Sequence, residues 1–360
     1  MKVLITGSNG LIGSQCVKFF ASKAERMIGI DNDMRSYFFG AESSTKEVGY
    51  TLEETYSNFT SYEIDIRDKD ALQKVFEDTD FDLIIHTAAQ PSHDWAAKEP
   101  LTDFGVNAVG TMNLLELYRL HSPSATFIFT STNKVYGDAP NYLPLVELGS
   151  RLEYYDDKGN LGSIDESMSI DNCLHSIFGA SKVAADIMVQ EYGKYFGLNT
   201  GVFRGGCLTG PNHQGAELHG FLSYLIKCMV QKKPYTIYGT GKQVRDNIHS
   251  WDLVNLFWHF HQNPKSGEVY NIGGGRENST SILEAIVKVN GILQNSGLPV
   301  WSEYTKNLDG WRVGDHKWYI SDLTKVSSDF PDWKINHPLD GLLKEMVDKE
   351  VKNREEKLTA

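Results

Sequence analysis

Three glycines spaced three apart, in Thr6-Gly7-Ser8-Asn9-Gly10-Leu11-Ile12-Gly13, limit what this chain can fold into more than any other feature. They sit between an apolar run, Val3-Leu4-Ile5, that reads as a strand and a helical pattern from Leu11 to Ala24. In that context Gly7 permits the tight strand-to-helix turn. Gly10 lets the backbone approach a pyrophosphate, and Gly13 lets the helix pack close to the strand. The free N–H groups of the helix N-terminus then face the phosphates. A second strand, Met27-Ile28-Gly29-Ile30, ends at Asp31. A carboxylate there accepts hydrogen bonds from the adenosine ribose and repels a 2′-phosphate, so the pattern predicts NAD rather than NADP. Ser8, Asn9, Leu11, Ile12 and Asn32 complete the expected cofactor contacts around this turn.

The alternation continues down the chain. Asp68 is placed to cap a helix through Phe76, and Leu83-Ile84-Ile85 reads as a buried strand. Pro100 to Leu120 reads as one long helix, and Thr126-Phe127-Ile128-Phe129 as the next strand. A helix over Ser176 to Phe196 precedes a strand over Thr200 to Phe203. Strands alternating with helices predict an α/β fold, a doubly wound parallel sheet with helices on both faces. Residues 138–172, rich in Asp, Asn, Gly and Tyr, break the rhythm and read as a surface excursion or lid. At 360 residues the chain is long for one small domain and short for three. The expected division is 1–205 for a nucleotide-binding domain and 206–350 for a smaller, discontinuous mixed α/β substrate domain, with some of its strands returning to the main sheet. The charged tail beyond Lys344 is expected to fray.

The formal net charge of −12 makes nucleic acid a poor partner, since a duplex surface would repel it. An anionic ligand would need cations gathered locally. No uncharged apolar run approaches the roughly 18 residues of a membrane span. The opening Met1-Lys2-Val3-Leu4-Ile5 is expected to carry no secretory signal. Cys16, Cys173, Cys207 and Cys228 show no CxxC spacing and suit a reducing, cytoplasmic setting. No metal is expected, because no His, Cys and Asp cluster has ligand spacing.

The loop Thr6 to Gly13, Asp65-Ile66-Arg67-Asp68, His86-Thr87-Ala88-Ala89 and Asn107-Ala108-Val109-Gly110-Thr111 together resemble the extended short-chain dehydrogenase/reductases. Two narrower stretches are Thr130-Ser131-Thr132-Asn133-Lys134-Val135-Tyr136-Gly137 and Gly239-Thr240-Gly241-Lys242-Gln243-Val244-Arg245-Asp246. They resemble the CDP-tyvelose (CDP-paratose) 2-epimerase branch of the nucleotide-sugar epimerases. The resemblance spans nearly the whole chain. It implies a tightly held NAD that takes a hydride from a sugar carbon, C2 in this branch, and returns it to the opposite face. It implies that Asp65 and Ile66 flank the adenine and that Ala88, Ala89 and Gln90 line the cofactor beside the substrate. Asn107 would support the active-site helix, and Thr132 would hydrogen-bond the reacting sugar oxygen. Dehydratases of the superfamily carry Asp-Glu directly after that hydroxyl. Asn133-Lys134 stands here, and an amide and an ammonium suit water elimination poorly. At the substrate end Arg245 and Arg312 would contact the diphosphate, as a guanidinium does well. Cys207, following Arg204 of the sixth strand, would line the sugar pocket, with Leu218 to Leu225 over the nucleobase. The family also implies a homodimer through the helix carrying Lys182.

One position departs from the family. Its members pair Tyr and Lys four residues apart on a helix, so that the cation lowers the phenol's pKa. Phe178-Gly179-Ala180-Ser181-Lys182 keeps the lysine, which should orient NAD, and lacks the phenol. Phenylalanine takes no proton, and general-base catalysis is typically worth about 10²–10⁴-fold. Three readings stay open: another group serves as base, the epimerase is catalytically disabled, or the chain binds nucleotide sugar and NAD without turnover. A nucleotide-sugar dehydrogenase releasing NADH is a further alternative. Tyr136, His175, Asp171 and Lys182 itself are the candidate substitutes for the phenol.

Overall fold

The computed structural model describes residues 1–213, 220–308 and 314–359. Its central sheet has seven strands: β1 (Lys2–Thr6), β2 (Arg26–Ile30), β3 (Phe59–Tyr62), β4 (Leu83–His86), β5 (Thr126–Thr132), β6 (Asn199–Gly205) and β7 (Glu268–Ile272). They lie in the order β7-β6-β5-β4-β1-β2-β3, and each pairing is parallel. The order reverses between β1 and β4, where an open α/β sheet leaves a crevice beyond its carboxyl ends.

Both faces of the sheet are covered, so its strands are apolar throughout rather than alternating. Val3, Leu4, Ile5, Leu83, Ile84 and Ile85 are fully buried. On one face α1 (Leu11–Phe20) and the helix Ser250–Gln262 join Cys16, Val17 and Phe20 to Leu253, Phe257 and Phe260. On the other, α2 (Lys69–Glu77), α3 (Gly110–His121) and α4 (Ser176–Phe196) contribute Leu72, Phe76, Leu114, Tyr118, Ala185 and Val189. Asp68 caps α2, accepting the Ala71 N–H at 3.0 Å. The helix expected from Pro100 to Leu120 is interrupted. A helix over Pro100–Phe104 widens into a π-turn at Gly105–Val109 before α3 begins.

A further core lies among the helices Phe221–Gln231, Ile282–Asn295 and Leu339–Thr359. They bury Leu225, Ile226, Ile286, Val289, Leu342 and Leu343 together. The tail expected to fray instead continues the last of these helices, because Met346 and Val347 give it an apolar side to bury. Residues 138–172 fold back onto the second half of the chain. They form a hairpin, Leu145–Glu147 with Leu152–Tyr154. The Trp318 indole donates to Glu153 Oε1 at 3.1 Å, and the Asn271 amide donates to the Ile164 carbonyl at 2.9 Å.

Candidate active site

A cleft of about 1000 Å³ runs along the carboxyl ends of the strands. Its first half is built by the glycine turn. Gly7 has φ +67, and a Cβ there would lie 2.8 Å from the Ala88 nitrogen. A Cβ on Gly13 would lie 2.0 Å from the Gly7 oxygen. Only glycine permits either approach, which is what a backbone cradle for a pyrophosphate requires. Asp31 is pinned beside the turn: its Oδ2 accepts the Asn9 N–H at 3.0 Å and its Oδ1 the Asp33 N–H at 2.9 Å. The Asn32 amide donates to Asp65 Oδ2 at 3.0 Å, and Arg67 pairs with the same carboxylate at 2.6 Å. Gly7, Asn9, Gly10, Leu11, Ile12, Asp31, Asn32, Asp65, Ile66, Ala88 and Ala89 all line the cleft.

Four expected contacts sit behind this wall instead. Ser8, Gly13, Gln90 and Asn107 do not line it. Gln90 is fully buried, and its amide donates to Asp103 Oδ1 at 2.7 Å and to the Ser92 carbonyl at 2.8 Å. Asn107 lies in the π-turn, with Nδ2 3.1 Å from each of the Gln90 carbonyl, Asp103 Oδ1 and Ser181 Oγ. These residues brace the wall against α4.

Thr132, Asn133, Lys134, Phe178, Lys182, Cys207 and Arg245 line the other half. Lys182 donates from Nζ to the Thr130 carbonyl at 2.9 Å, and Nζ sits 4.2 Å from the Phe129 ring centroid. Burial lowers its pKa to about 8, against the pull of Asp186 and Asp103. Thr132 ends β5, and its hydroxyl accepts the Lys134 N–H at 3.2 Å. Lys134 and Arg245 both grip Asp315 Oδ1, at 2.9 and 2.8 Å. Burial would raise the Asp315 carboxyl, yet the two cations hold it well below the usual carboxylate range. Two cations against one carboxylate leave a local positive excess in a chain of net charge −12. Burial pushes the Cys207 thiol up to about 12, which keeps it protonated.

Arg204, expected at the substrate, is turned away. It forms a buried double contact with Asp186, at 3.0 and 2.8 Å, and donates to the Tyr136 hydroxyl at 3.1 Å. A buried guanidinium needs such a partner, and Asp186 on α4 supplies it. Leu218 and Arg312 lie outside the described residues. Leu222 lines the cleft, whereas Leu225 is buried in the C-terminal core.

Three of the candidate substitutes for the phenol fall away. The Tyr136 hydroxyl donates to Asn271 Oδ1 at 2.7 Å, and burial pushes its pKa up to about 12. His175 Nε2 sits 2.9 Å from the Val135 carbonyl. Neither of these nor Asp171 lines the cleft, and neither does any residue of 138–172. The segment packs against the second half of the chain instead, through Glu153 and Ile164. Two features of the reacting end were not read from the sequence: the partner of Lys134 and the place of His93. Asp315 pairs with Lys134 across 181 positions, and His93 lines the cleft beside Phe178.

Residues 3–273 match the model of the NAD dependent epimerase/dehydratase family. The chain belongs to that family. It is 33% identical over 344 residues to the CDP-paratose 2-epimerase of Salmonella typhi, covering 92% of this chain and 94% of that one. It is 27% identical over 345 residues to the dTDP-glucose 4,6-dehydratase of Salmonella typhimurium, covering 93% and 88%. Among solved structures it resembles a Tyr-to-Phe mutant of UDP-glucuronic acid 4-epimerase from Bacillus cereus, in complex with NAD and a fluorinated UDP-sugar. There the TM-score is 0.76 and the identity 26%, over 98% of this chain and all of that one. Among the described residues no helix is long and apolar enough to cross a membrane, and no group of three His, Cys, Asp or Glu could hold a metal.

Proposed function

We propose that this chain epimerises a nucleotide-diphosphate sugar at C2 with NAD as bound cofactor. The observation that carries the reading is one continuous cleft. The glycine turn and Asp31 lie at one end, and Thr132, Lys182 and the Lys134–Asp315–Arg245 cluster lie at the other. The choice of C2 is supported by the likeness to CDP-paratose 2-epimerase. Residues 1–205 would supply the cofactor half together with Thr132, Lys134 and Lys182 of the substrate half, and 206–350 the rest of the substrate half.

Gly7, Gly10 and the start of α1 would hold the pyrophosphate, Asp31 the adenosine ribose and Lys182 the nicotinamide ribose. NAD, when bound, supplies the acceptor and donor for the sugar's hydride. Thr132 Oγ1 would donate to the sugar oxygen. The Lys182 ammonium stabilises negative charge developing on that oxygen, since a cation counts for more in a dry site. Arg245 and Lys134 would meet the diphosphate. Asn133 and Lys134 provide no carboxylate for elimination, which favours epimerisation over dehydration. A homodimer through α4 is part of the reading, supported by Ile177, Ile187 and Phe196 exposed along that helix. The cytoplasm suits its four free cysteines.

Incubating the NAD-loaded chain with CDP-, UDP-, GDP- and dTDP-sugars, followed by NMR, tests the proposal. A C2 epimer with no net NADH is expected. Steady NADH release would assign a dehydrogenase, and bound but unchanged sugars a non-catalytic binder.

A further inference from the structure

Lys182 brings a positive charge to the wall of the cleft, in a place where it is buried. We infer that Asp103, buried behind that wall, is a positioning residue that keeps the Lys182 ammonium charged at the reacting end. The consequence for turnover rests on the epimerase reading above; the consequence for Lys182 itself does not.

A buried charge needs a partner of opposite sign. From β5, Lys182 Nζ meets the Thr130 carbonyl at 2.9 Å and the Phe129 ring at 4.2 Å, neither of them an anion. Two carboxylates pull against its burial, Asp186 and then Asp103. Asp186, one turn along α4, is already matched. Arg204 of β6 holds it by two contacts, at 3.0 and 2.8 Å, and Ser131 Oγ and Gln190 Nε2 donate to it at 2.5 and 2.8 Å. His86 of β4 is kept neutral, since burial takes its pKa down to about 3. Asp103 is the anion left over.

Asp103 lies on the helix Pro100–Phe104 and is fully buried. Its Oδ1 accepts from neutral amides, Gln90 Nε2 at 2.7 Å and Asn107 Nδ2 at 3.1 Å. Its Oδ2 has no hydrogen-bond partner among the described residues. The same Asn107 amide reaches Ser181 Oγ at 3.1 Å, the residue directly before Lys182 on α4. Asp103 is thus fixed against the turn of α4 that carries the ammonium. Burial raises its pKa, while Ser181, Gln90 and the Lys182 charge pull it down. A fully buried carboxylate with one oxygen unpartnered is costly to keep ionised. The field of Lys182 offsets that cost, and the attraction is mutual: each group favours the charged form of the other.

The test is an NMR titration of the full chain, labelled with carbon-13 at lysine Cε and aspartate Cγ. K182M and D103N assign the two resonances. In wild type, Asp103 should be ionised at pH 7, and its resonance should inflect again near pH 8 as Lys182 loses its proton. D103N keeps an acceptor for Gln90 and Asn107 and removes the charge. Lys182 should therefore titrate about one pH unit lower in D103N than in wild type. With NAD and CDP-paratose, the alkaline fall in turnover should move down by the same amount. A protonated Asp103 at pH 7, or an Asp103 resonance blind to Lys182, overturns the inference from wild type alone, whether or not D103N folds. So does a Lys182 titration that D103N leaves unmoved. A wild type inert toward every sugar it binds overturns the epimerase reading, while the titrations still judge Asp103.

Discussion

Lys182 carries its charge where burial disfavours it, and that has a consequence for stability. Its folded pKa, about 8, lies below the ordinary 10.5. The folded state therefore binds the proton less tightly than the unfolded chain. The charge costs stability below pH 8, and the cost is relieved as pH rises toward 10.5. Lys182→Met should raise the thermal midpoint at pH 7 by the equivalent of about 1–3 kcal/mol, less what the Thr130 carbonyl loses, while turnover collapses. Unfolding scans at neutral and strongly alkaline pH check this, since the gain should shrink at alkaline pH. Phe178 gives the converse case. Where a substitute group already takes the proton, Phe178→Tyr should change turnover by less than about tenfold; a rise beyond about 10²-fold would mark a disabled epimerase. Steady-state kinetics by NMR decide between them. Phe178, the glycines and Asp31 were legible because each acts through its own backbone position or its immediate neighbours. The Lys134–Asp315 pair was not, because its members lie 181 positions apart.

At the scale of elements, the π-turn at Gly105–Val109 is where the sheet side and α4 are joined. Apolar periodicity showed one helix from Pro100 to Leu120, since a single extra residue in a turn barely disturbs the pattern. Asn107 holds the turn open by contacting Gln90 and Ser181 together. Asn107→Ala leaves the buried Gln90 N–H without its acceptor and should cost about 1–3 kcal/mol, read by urea unfolding. Residues 138–172 make contacts that the sequence did not show, for a related reason. Their polar composition is that of a surface loop, but Ile164 and Glu153 find partners at Asn271 and Trp318, more than a hundred positions on. Local pattern carries no trace of such pairings.

For the whole molecule, the parallel sheet followed from the alternation of strands and helices, and a cleft at its carboxyl ends followed from the parallel sheet. What the second half adds to the cleft was only partly legible. Arg245 was found by its motif, whereas its Asp315 partner and the Lys134 contact emerge only when the halves meet. Arg245→Ala should weaken nucleotide-sugar binding by about 1.5–3 kcal/mol, roughly ten- to a hundredfold, and leave NAD binding nearly unchanged. Calorimetry with each ligand checks it. The same titration with NADP should show weaker binding than NAD, because Asp31 would face the extra phosphate.

In the proposed reaction a hydrogen leaves C2 as hydride and returns within one cleft. CDP-paratose deuterated at C2, incubated with the NAD-loaded chain in ordinary water and followed by NMR, tests it most directly. An epimer that keeps its deuterium at C2 is expected. Loss of the label to solvent, or a sugar that binds and remains unchanged, would contradict it.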